Sequence, residues 1–96
     1  MKKKIVVIGS NSSLAKQLVK KLKNTTKLLQ LSRKNVDVVK SFEKLEKILE
    51  SFKPNVIINC VGVTKFLECE KDPSNAYLVN SNFPIKLSEY IKGRNI

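Results

Sequence analysis

The chain begins with an apolar run that stops at a glycine and is followed by small polar residues. Ile5 to Ile8 leads into Gly9, and a helical pattern of apolar residues starts at Leu14. This order is typical of a strand, a tight turn and a helix whose N-terminus faces the turn. The first N–H groups of a helix have no partner inside it, and the helix dipole adds positive potential there. The sequence therefore predicts an anion site and, as a first hypothesis, a dinucleotide-binding domain.

Apolar periodicity predicts strands and helices that alternate along the whole chain. The predicted elements are strands over 4–8, 28–31 and 55–60 and helices over about 13–23, 41–52, 73–79 and 85–92, with a bend at 80–84. Such alternation indicates a parallel sheet with right-handed crossovers. If the third strand lies beside the first, the fold is a Rossmann-like three-layer α/β fold with strand order 2-1-3 and helices on both faces. Ligands of such sheets bind where the order switches, here between the first and third strands.

Several local features refine these elements. The apolar face of the first helix is predicted to comprise Leu14, Leu18, Val19 and Leu22, with Ser12 or Ser13 as its cap. Residues 36–39 are too few to assign. The unbroken apolar centre of 55–60 is typical of a strand covered on both faces, and Asn59 should be hydrogen-bonded to backbone if it is buried. Asp72 and Pro73 predict a helix start, and Gly93 predicts a helix end.

Composition bounds the function further. The 96 residues are enough for one small domain, and 19 Lys and Arg against 8 Asp and Glu give a net charge of +11. The lysines are spread over nearly the whole chain and lack interleaved aromatic residues, so we expect no nucleic-acid partner. The acidic group Glu68, Glu70 and Asp72 is interpreted as solvated charge and a helix cap. The four phenylalanines are interpreted as core or cover.

The cysteines and the absence of histidine exclude the common metal and redox motifs. Cys60 and Cys69 have neither redox nor zinc spacing, so no metal site is predicted. No signal peptide is evident, and the longest apolar stretch, around 56–63, is too short to span a bilayer. We therefore expect a cytoplasmic protein with reduced thiols and no membrane partner.

Four blocks of sequence, in the right order, resemble the N-terminal part of an extended short-chain dehydrogenase/reductase. The branch is similar to dTDP-4-dehydrorhamnose reductase and related sugar-nucleotide reductases. The blocks are the turn 9–15, the pair Asp37-Val38, the segment 54–64 with its Pro-Asn-Val-Ile-Ile-Asn start, and the segment 69–80 with its Asp-Pro-x-x-Ala core, followed by Pro84. They cover nearly the whole chain, 1–96, as part of one NAD(P)-binding domain. Two glycines of the family's turn are replaced, by Ser12 and by Ala15.

The resemblance implies the cofactor half of an NADPH-dependent sugar-nucleotide reductase that serves nucleotide-sugar biosynthesis. Arg33, at the end of the second strand, favours NADP(H) over NAD(H), since an Arg there accommodates a 2′-phosphate. Asp37 is equally consistent with a turn residue. The implied cofactor-binding residues are Gly9, Asn11, Ser12, Ser13, Leu14, Arg33, Lys34, Asp37, Val38, Cys60, Val61, Gly62 and Thr64.

The family's catalytic Tyr-x-x-x-Lys motif and its substrate domain do not occur in these 96 residues. Neither Tyr77 nor Tyr90 is followed by a lysine at the required spacing. We therefore expect a truncated form, a proteolytic fragment or the product of an interrupted gene, with no catalytic residue and no turnover alone. The sugar-nucleotide substrate is expected only for the intact protein.

Other functions stay open. A sugar-nucleotide epimerase or dehydratase of the same superfamily has the same cofactor half. A non-catalytic nucleotide-binding regulatory subunit is also consistent with the altered glycine pattern, because fold does not fix function. A third strand without a further neighbour would be a bare apolar edge, so we expect self-association through Val56 to Cys60.

Overall fold

The computed structural model describes residues 2–62 and 71–96. Its first half alternates strands with helices: β1 (Lys4–Ile8), α1 (Ser13–Leu22), β2 (Lys27–Leu31), α2 (Phe42–Phe52) and β3 (Val56–Asn59). The second half is helical: α3 (Pro73–Tyr77), a π-helical segment (Leu78–Asn82) and α4 (Phe83–Ile91). The predicted elements are thus confirmed, with ends that differ by one or two residues.

Within the described residues the sheet has three strands in the order β2-β1-β3, and both pairs are parallel. In the register, Ile8 of β1 lies between Leu31 of β2 and Asn59 of β3, so the three carboxyl ends reach the same edge. The Rossmann-like α/β fold with order 2-1-3 is therefore confirmed. This topology places the switch between β1 and β3 at that edge.

The core lies on both faces of β1. One face contributes Val6 and Ile8 to a cluster with α2 and α4, whose buried members include Leu45, Leu49 and Phe83. The other face contributes Ile5 and Val7, which pack on Ala15 of α1. Because β1 alternates its side chains between two helical layers, its apolar run is unbroken and buried throughout.

Two expectations about burial are wrong. Leu14, predicted on the apolar face of α1, is 61% exposed, and Ala15 is the fully buried residue of that helix. The next position of a helix points about 100° away, so close packing of Ala15 on β1 turns Leu14 outward. β3 is half-buried rather than covered on both faces, because β1 is its only neighbour among residues 2–62 and 71–96. The structural role predicted for Asn59 agrees with its contacts: the side chain is exposed, and its Oδ1 accepts from the backbone N–H of Val61 at 3.0 Å.

The helix caps agree with the sequence. Ser12 Oγ accepts the Ala15 N–H at 3.1 Å, and Asp72 Oδ1 accepts the Asn75 N–H at 3.0 Å. Gly93 follows α4 with φ of 80°, the left-handed conformation that suits glycine after a helix.

The predicted bend at 80–84 is a π-helical segment rather than a break. Phe83 donates its N–H to the Leu78 carbonyl, one residue further back than in an α-helix. Pro84 has no N–H to donate, and the wider turn lets the chain pass it without ending the helix. α3 and α4 are therefore continuous through the π-helical segment.

Candidate nucleotide site

The turn after β1 joins all three strand ends. The N–H groups of Gly9 and Ser10 both donate to the Leu31 carbonyl at the end of β2, at 2.8 and 3.1 Å. On the other side, the Cys60 N–H donates to the Ile8 carbonyl at 2.8 Å. Gly9 has φ of 81°, and a Cβ placed on it would lie 2.8 Å from the Cys60 carbonyl carbon. Only glycine fits this position, for both conformational and steric reasons.

The N-terminus of α1 presents unpaired donors at this turn. The Ser12 N–H donates to the Gly9 carbonyl at 3.2 Å, and the Ala15 N–H donates to Ser12 Oγ. The N–H groups of Asn11, Ser13 and Leu14 have no hydrogen-bond partner among the described residues. The first turn of α1 carries no acidic residue, whereas Lys20 and Lys21 occupy its last turn. Unpaired N–H groups and the uncompensated positive end of the dipole together suit a phosphate.

The end of β2 leads into a turn that is held by Asn35. Its Oδ1 accepts from both the N–H and the hydroxyl of Ser32, at 2.8 and 3.1 Å. The Lys34 N–H donates to Ser32 Oγ at 3.3 Å. Arg33 lies at the cleft and is exposed, so its guanidinium is free to meet a ligand.

A second turn follows, and Asp37 organises it. Asp37 Oδ1 accepts from the N–H groups of Val39 and Lys40, both at 3.0 Å, and the Asp37 carbonyl accepts from the Ser41 N–H at 2.8 Å. The Lys40 N–H is the largest cause that lowers the pKa of Asp37, with smaller contributions from the Val39 N–H and the charges of Arg33 and Lys40; partial burial opposes them. Asp37 is therefore a turn residue and a stable carboxylate, whatever it contacts in a ligand.

The cleft between these turns has a volume of about 300 Å³. Its floor is formed by the strand ends at Ile8, Leu31 and Cys60, and its sides are the turns after β1 and β2. Asn75 and Val79, from α3 and the π-helical segment, also line it. Its charged lining residues within the described chain are Arg33, Asp37 and Lys40.

Most of the residues proposed from the sequence line this one cleft. Those brought together are Gly9, Asn11, Ser12, Arg33, Asp37, Val38, Cys60, Val61 and Gly62. Ser13, Leu14 and Lys34 do not line it, although the first two supply the N–H groups of the helix start. Thr64, and with it Phe66, Glu68, Cys69 and Glu70, lies outside the described residues.

Sequence reasoning missed Lys40, Asn75 and Val79. Lys40 lies between the stretch 36–39, which was too short to assign, and α2, so no predicted element indicated its position. A helix that follows a parallel strand starts from the strand's carboxyl edge, so the position of α3 after β3 was the available signal for the other two.

The described residues contain neither a cluster of metal ligands nor a helix that could span a membrane. No group of three or more His, Cys, Asp or Glu side chains there could hold a metal ion. None of the helices in the same part of the chain is long and apolar enough to cross a membrane.

A parallel 2-1-3 sheet with a glycine turn at its switch point defines a Rossmann-like α/β domain. The chain belongs to the family described as RmlD substrate binding domain, whose sequence model matches residues 2–96. The resemblance to the dTDP-4-dehydrorhamnose reductase branch is thereby confirmed.

Individual relatives agree with the family. A dTDP-4-dehydrorhamnose reductase of Aggregatibacter actinomycetemcomitans is 32% identical over 79 residues, which are 80% of this chain and 26% of that protein. The crystal structure of a dTDP-4-dehydrorhamnose reductase from Clostridium acetobutylicum superposes with a TM-score of 0.84 and 27% identity, over 96% of this chain and 33% of that one. The crystal structure of a dTDP-4-dehydrorhamnose reductase from Bacillus anthracis in complex with NADP superposes with a TM-score of 0.79 and 26% identity. The match covers 86% of this chain and 30% of that one. The chain thus spans about a quarter to a third of the length of these relatives.

Proposed function

We propose that this chain is the cofactor-binding part of an NADPH-dependent sugar-nucleotide reductase of the dTDP-4-dehydrorhamnose reductase type. The observation that carries the proposal is the set of three N–H groups at the start of α1 that have no partner among the described residues. They lie beside Gly9, whose positive φ and contact with the Cys60 backbone leave no space for a side chain. The NADP complex of the Bacillus anthracis relative supports the choice of cofactor.

Different groups of these residues would contact different parts of the cofactor. The N–H groups of Asn11, Ser13 and Leu14 would bind the pyrophosphate at the helix N-terminus. Arg33 would bind the 2′-phosphate of NADPH, with Lys34 beside it at the end of β2. Asp37 and Val38 would border the adenine. The segment after β3 would border the nicotinamide-ribose side; its members are Cys60, Val61, Gly62 and Thr64.

The cofactor would supply the hydride for a 4-keto sugar in the intact protein. The described residues bind and orient it but place no proton donor at a reacting carbonyl. We expect no loss of reduced-cofactor absorbance when this chain is mixed with NADPH and a dTDP-4-keto sugar. Turnover above the protein-free rate would contradict this assignment of roles.

A second candidate is a non-catalytic nucleotide-binding subunit with the same fold. Ser12 favours it, because its hydroxyl already occupies the Ala15 N–H where the family's turn has a glycine. The two candidates differ outside this chain: a reductase, like an epimerase or dehydratase, needs the downstream Tyr-x-x-x-Lys motif, and a regulatory subunit does not. Sequencing the encoding gene beyond codon 96 tests this point.

The direct test is titration calorimetry of the chain with NADPH and with NADH. We expect both to bind and NADPH to bind more tightly. The variant Ser13→Pro removes one of the three free N–H groups at the first helical position, where proline is well tolerated. The preceding Ser12 has φ of −71° and ψ of 155°, a conformation that proline accepts in the residue before it.

Ser13→Pro should therefore weaken NADPH binding by at least about tenfold, the effect of one hydrogen bond to a charged group, with unchanged stability. Ser13→Ala keeps the N–H and serves as the matched control. Absence of binding by the parent chain, or equal binding by both variants, would overturn the helix start as the pyrophosphate site.

A further inference from the structure

Lys40 is the one charged residue of the cleft to which neither the sequence nor the family resemblance gave a function. It lies in the turn that begins at Asp37 and, like Arg33 and Asp37, it lines the cleft. The positive charges of Arg33 and Lys40 both lower the pKa of the Asp37 carboxyl, so both cations lie near that group. The adenosine end of the cleft therefore combines two cations with one anion.

The backbone of Lys40 is held by hydrogen bonds within its turn. Its N–H donates to Asp37 Oδ1 at 3.0 Å, and the Ser41 N–H beyond it donates to the Asp37 carbonyl at 2.8 Å. The flanking Val38 is buried in the core, which anchors the turn from below. A lysine whose backbone is fixed loses less freedom when its ammonium group binds a ligand.

We propose that Lys40 is a specificity-determining residue that, together with Arg33, binds the 2′-phosphate of NADPH, and that Asp37 is the residue that positions it. This inference rests on the proposed function and adds to it. A 2′-phosphate is a dianion, and the carboxylate of Asp37 alone would repel it. Arg33 and Lys40 together with the Asp37 carboxylate give the adenosine end one net positive charge. This charge favours NADPH over NADH, which lacks the 2′-phosphate.

Lys40 differs from the neighbouring lysines in its position. Lys34 does not line the cleft, and neither does Lys47, which lies on α2. The Lys40 ammonium can therefore be removed without altering the turn bonds, which involve only its backbone.

The experiment uses the 96-residue chain and two small probes, adenosine 2′,5′-bisphosphate and 5′-AMP, in titration calorimetry at low ionic strength. These probes differ only in the 2′-phosphate and do not require the nicotinamide side of the site. We expect the parent chain to prefer the bisphosphate by at least about tenfold. Lys40→Gln should reduce that preference by about fivefold, the effect of an exposed ion pair at the upper end of its range.

Lys47→Gln is the matched control and should leave the preference within about twofold of the parent value. Asp37→Asn keeps an Oδ1 acceptor for the turn, so it should retain the preference or increase it. Asp37→Ala removes the acceptor and should reduce the preference, although it also removes a repelling charge. A preference that falls in Asp37→Ala but not in Asp37→Asn would identify Asp37 as a residue that positions Lys40.

Two outcomes would overturn the inference. Lys40→Gln could leave the preference unchanged, including by weakening the binding of both probes equally, or Asp37→Ala could strengthen the preference. Failure of the proposed function has a different signature, in which the folded parent chain binds neither NADPH nor either adenosine probe.

Discussion

Gly9 and Cys60 approach so closely that the backbone of one leaves no space for a side chain on the other. A Cβ on Gly9 would lie 2.8 Å from the Cys60 carbonyl carbon and 2.9 Å from both its oxygen and the Val61 nitrogen. All three are backbone atoms at the end of β3, so no side-chain rotation relieves the contact. The glycine therefore fixes the distance between the two strand ends that form the floor of the cleft.

Gly9→Ala should destabilise the fold on the order of 3 kcal/mol. The left-handed backbone conformation costs an L-residue about 1–2 kcal/mol, and overpacking against a strand end adds a comparable amount. Gly93→Ala is the matched control, because Gly93 has nearly the same φ, 80°, with nothing within 4 Å of its Cβ. It should cost only about 1 kcal/mol. Urea unfolding measures both, and equal costs would show that the contact with Cys60 is relieved easily.

Two variants of Ser12 separate the effect of its hydroxyl, which accepts the Ala15 N–H, from the effect of its Cβ. Ser12→Gly restores the family's glycine, frees the Ala15 N–H and removes a Cβ, at a cost of only a few tenths of a kcal/mol. Ser12→Ala also frees the N–H, but it keeps the Cβ and costs about 1 kcal/mol. We expect NADPH to bind Ser12→Gly several-fold more tightly than the parent chain. Calorimetry of both variants shows whether the hydroxyl or the Cβ limits binding, and weaker binding to Ser12→Gly would assign the hydroxyl itself a role in the site.

The sequence predicted the order, type and approximate ends of the strands and helices because each carries a clear local signal. β1 is an apolar run that ends at a glycine, and Ser12 and Asp72 cap helices as their residue types favour. The alternation of elements and the general rules of parallel sheets predicted parallel strands, and the order 2-1-3 required in addition that the third strand lie beside the first. These rules are independent of side-chain detail.

The errors and omissions had two causes: contacts between residues that are distant in sequence, and a turn too short to carry a periodic signal. Periodicity predicted Leu14 on the apolar face of α1. It gave no indication that the smaller Ala15 is the residue that packs against β1. Lys40 lines the cleft because it lies in a turn in which its N–H donates to Asp37 Oδ1. This turn is too short to show a periodic pattern in the sequence. Asn75 joins the cleft through the packing of α3, which depends on the whole sheet.

The free side of β3 should mediate self-association of this chain. β3 is half-buried and pairs only with β1 in the described part of the chain, so its outer backbone groups can pair with a second copy. Asn59→Lys places a charge on this edge at an exposed position and should shift the equilibrium to monomer. Gln30→Lys places the same charge at an exposed position of β2, the opposite edge, and should not. Sedimentation equilibrium at high concentration measures both, and a monomeric parent chain would contradict the prediction.

Tyr90 should make stability fall at high pH. Its hydroxyl donates to Glu50 Oε1 at 2.8 Å, Arg94 donates to the same oxygen at 2.8 Å, and the guanidinium lies 4.2 Å from the ring centroid. Partial burial, followed by the bond to Glu50 and its charge, raises the pKa of Tyr90 above its ordinary value of 10.0. The folded state then holds the proton more tightly than the unfolded state, so stability is complete below pH 10 and declines as pH rises through the folded-state pKa.

Tyr90→Phe removes this titration and keeps the ring beneath Arg94. The parent chain should be the more stable of the two near pH 8, and the difference should shrink by pH 11. The two proteins differ only in this hydroxyl, so the difference between their urea midpoints at the two pH values isolates the contribution of Tyr90. A difference that stays constant from pH 8 to pH 11 would show that the tyrosine hydroxyl titrates equally in the folded and unfolded chain.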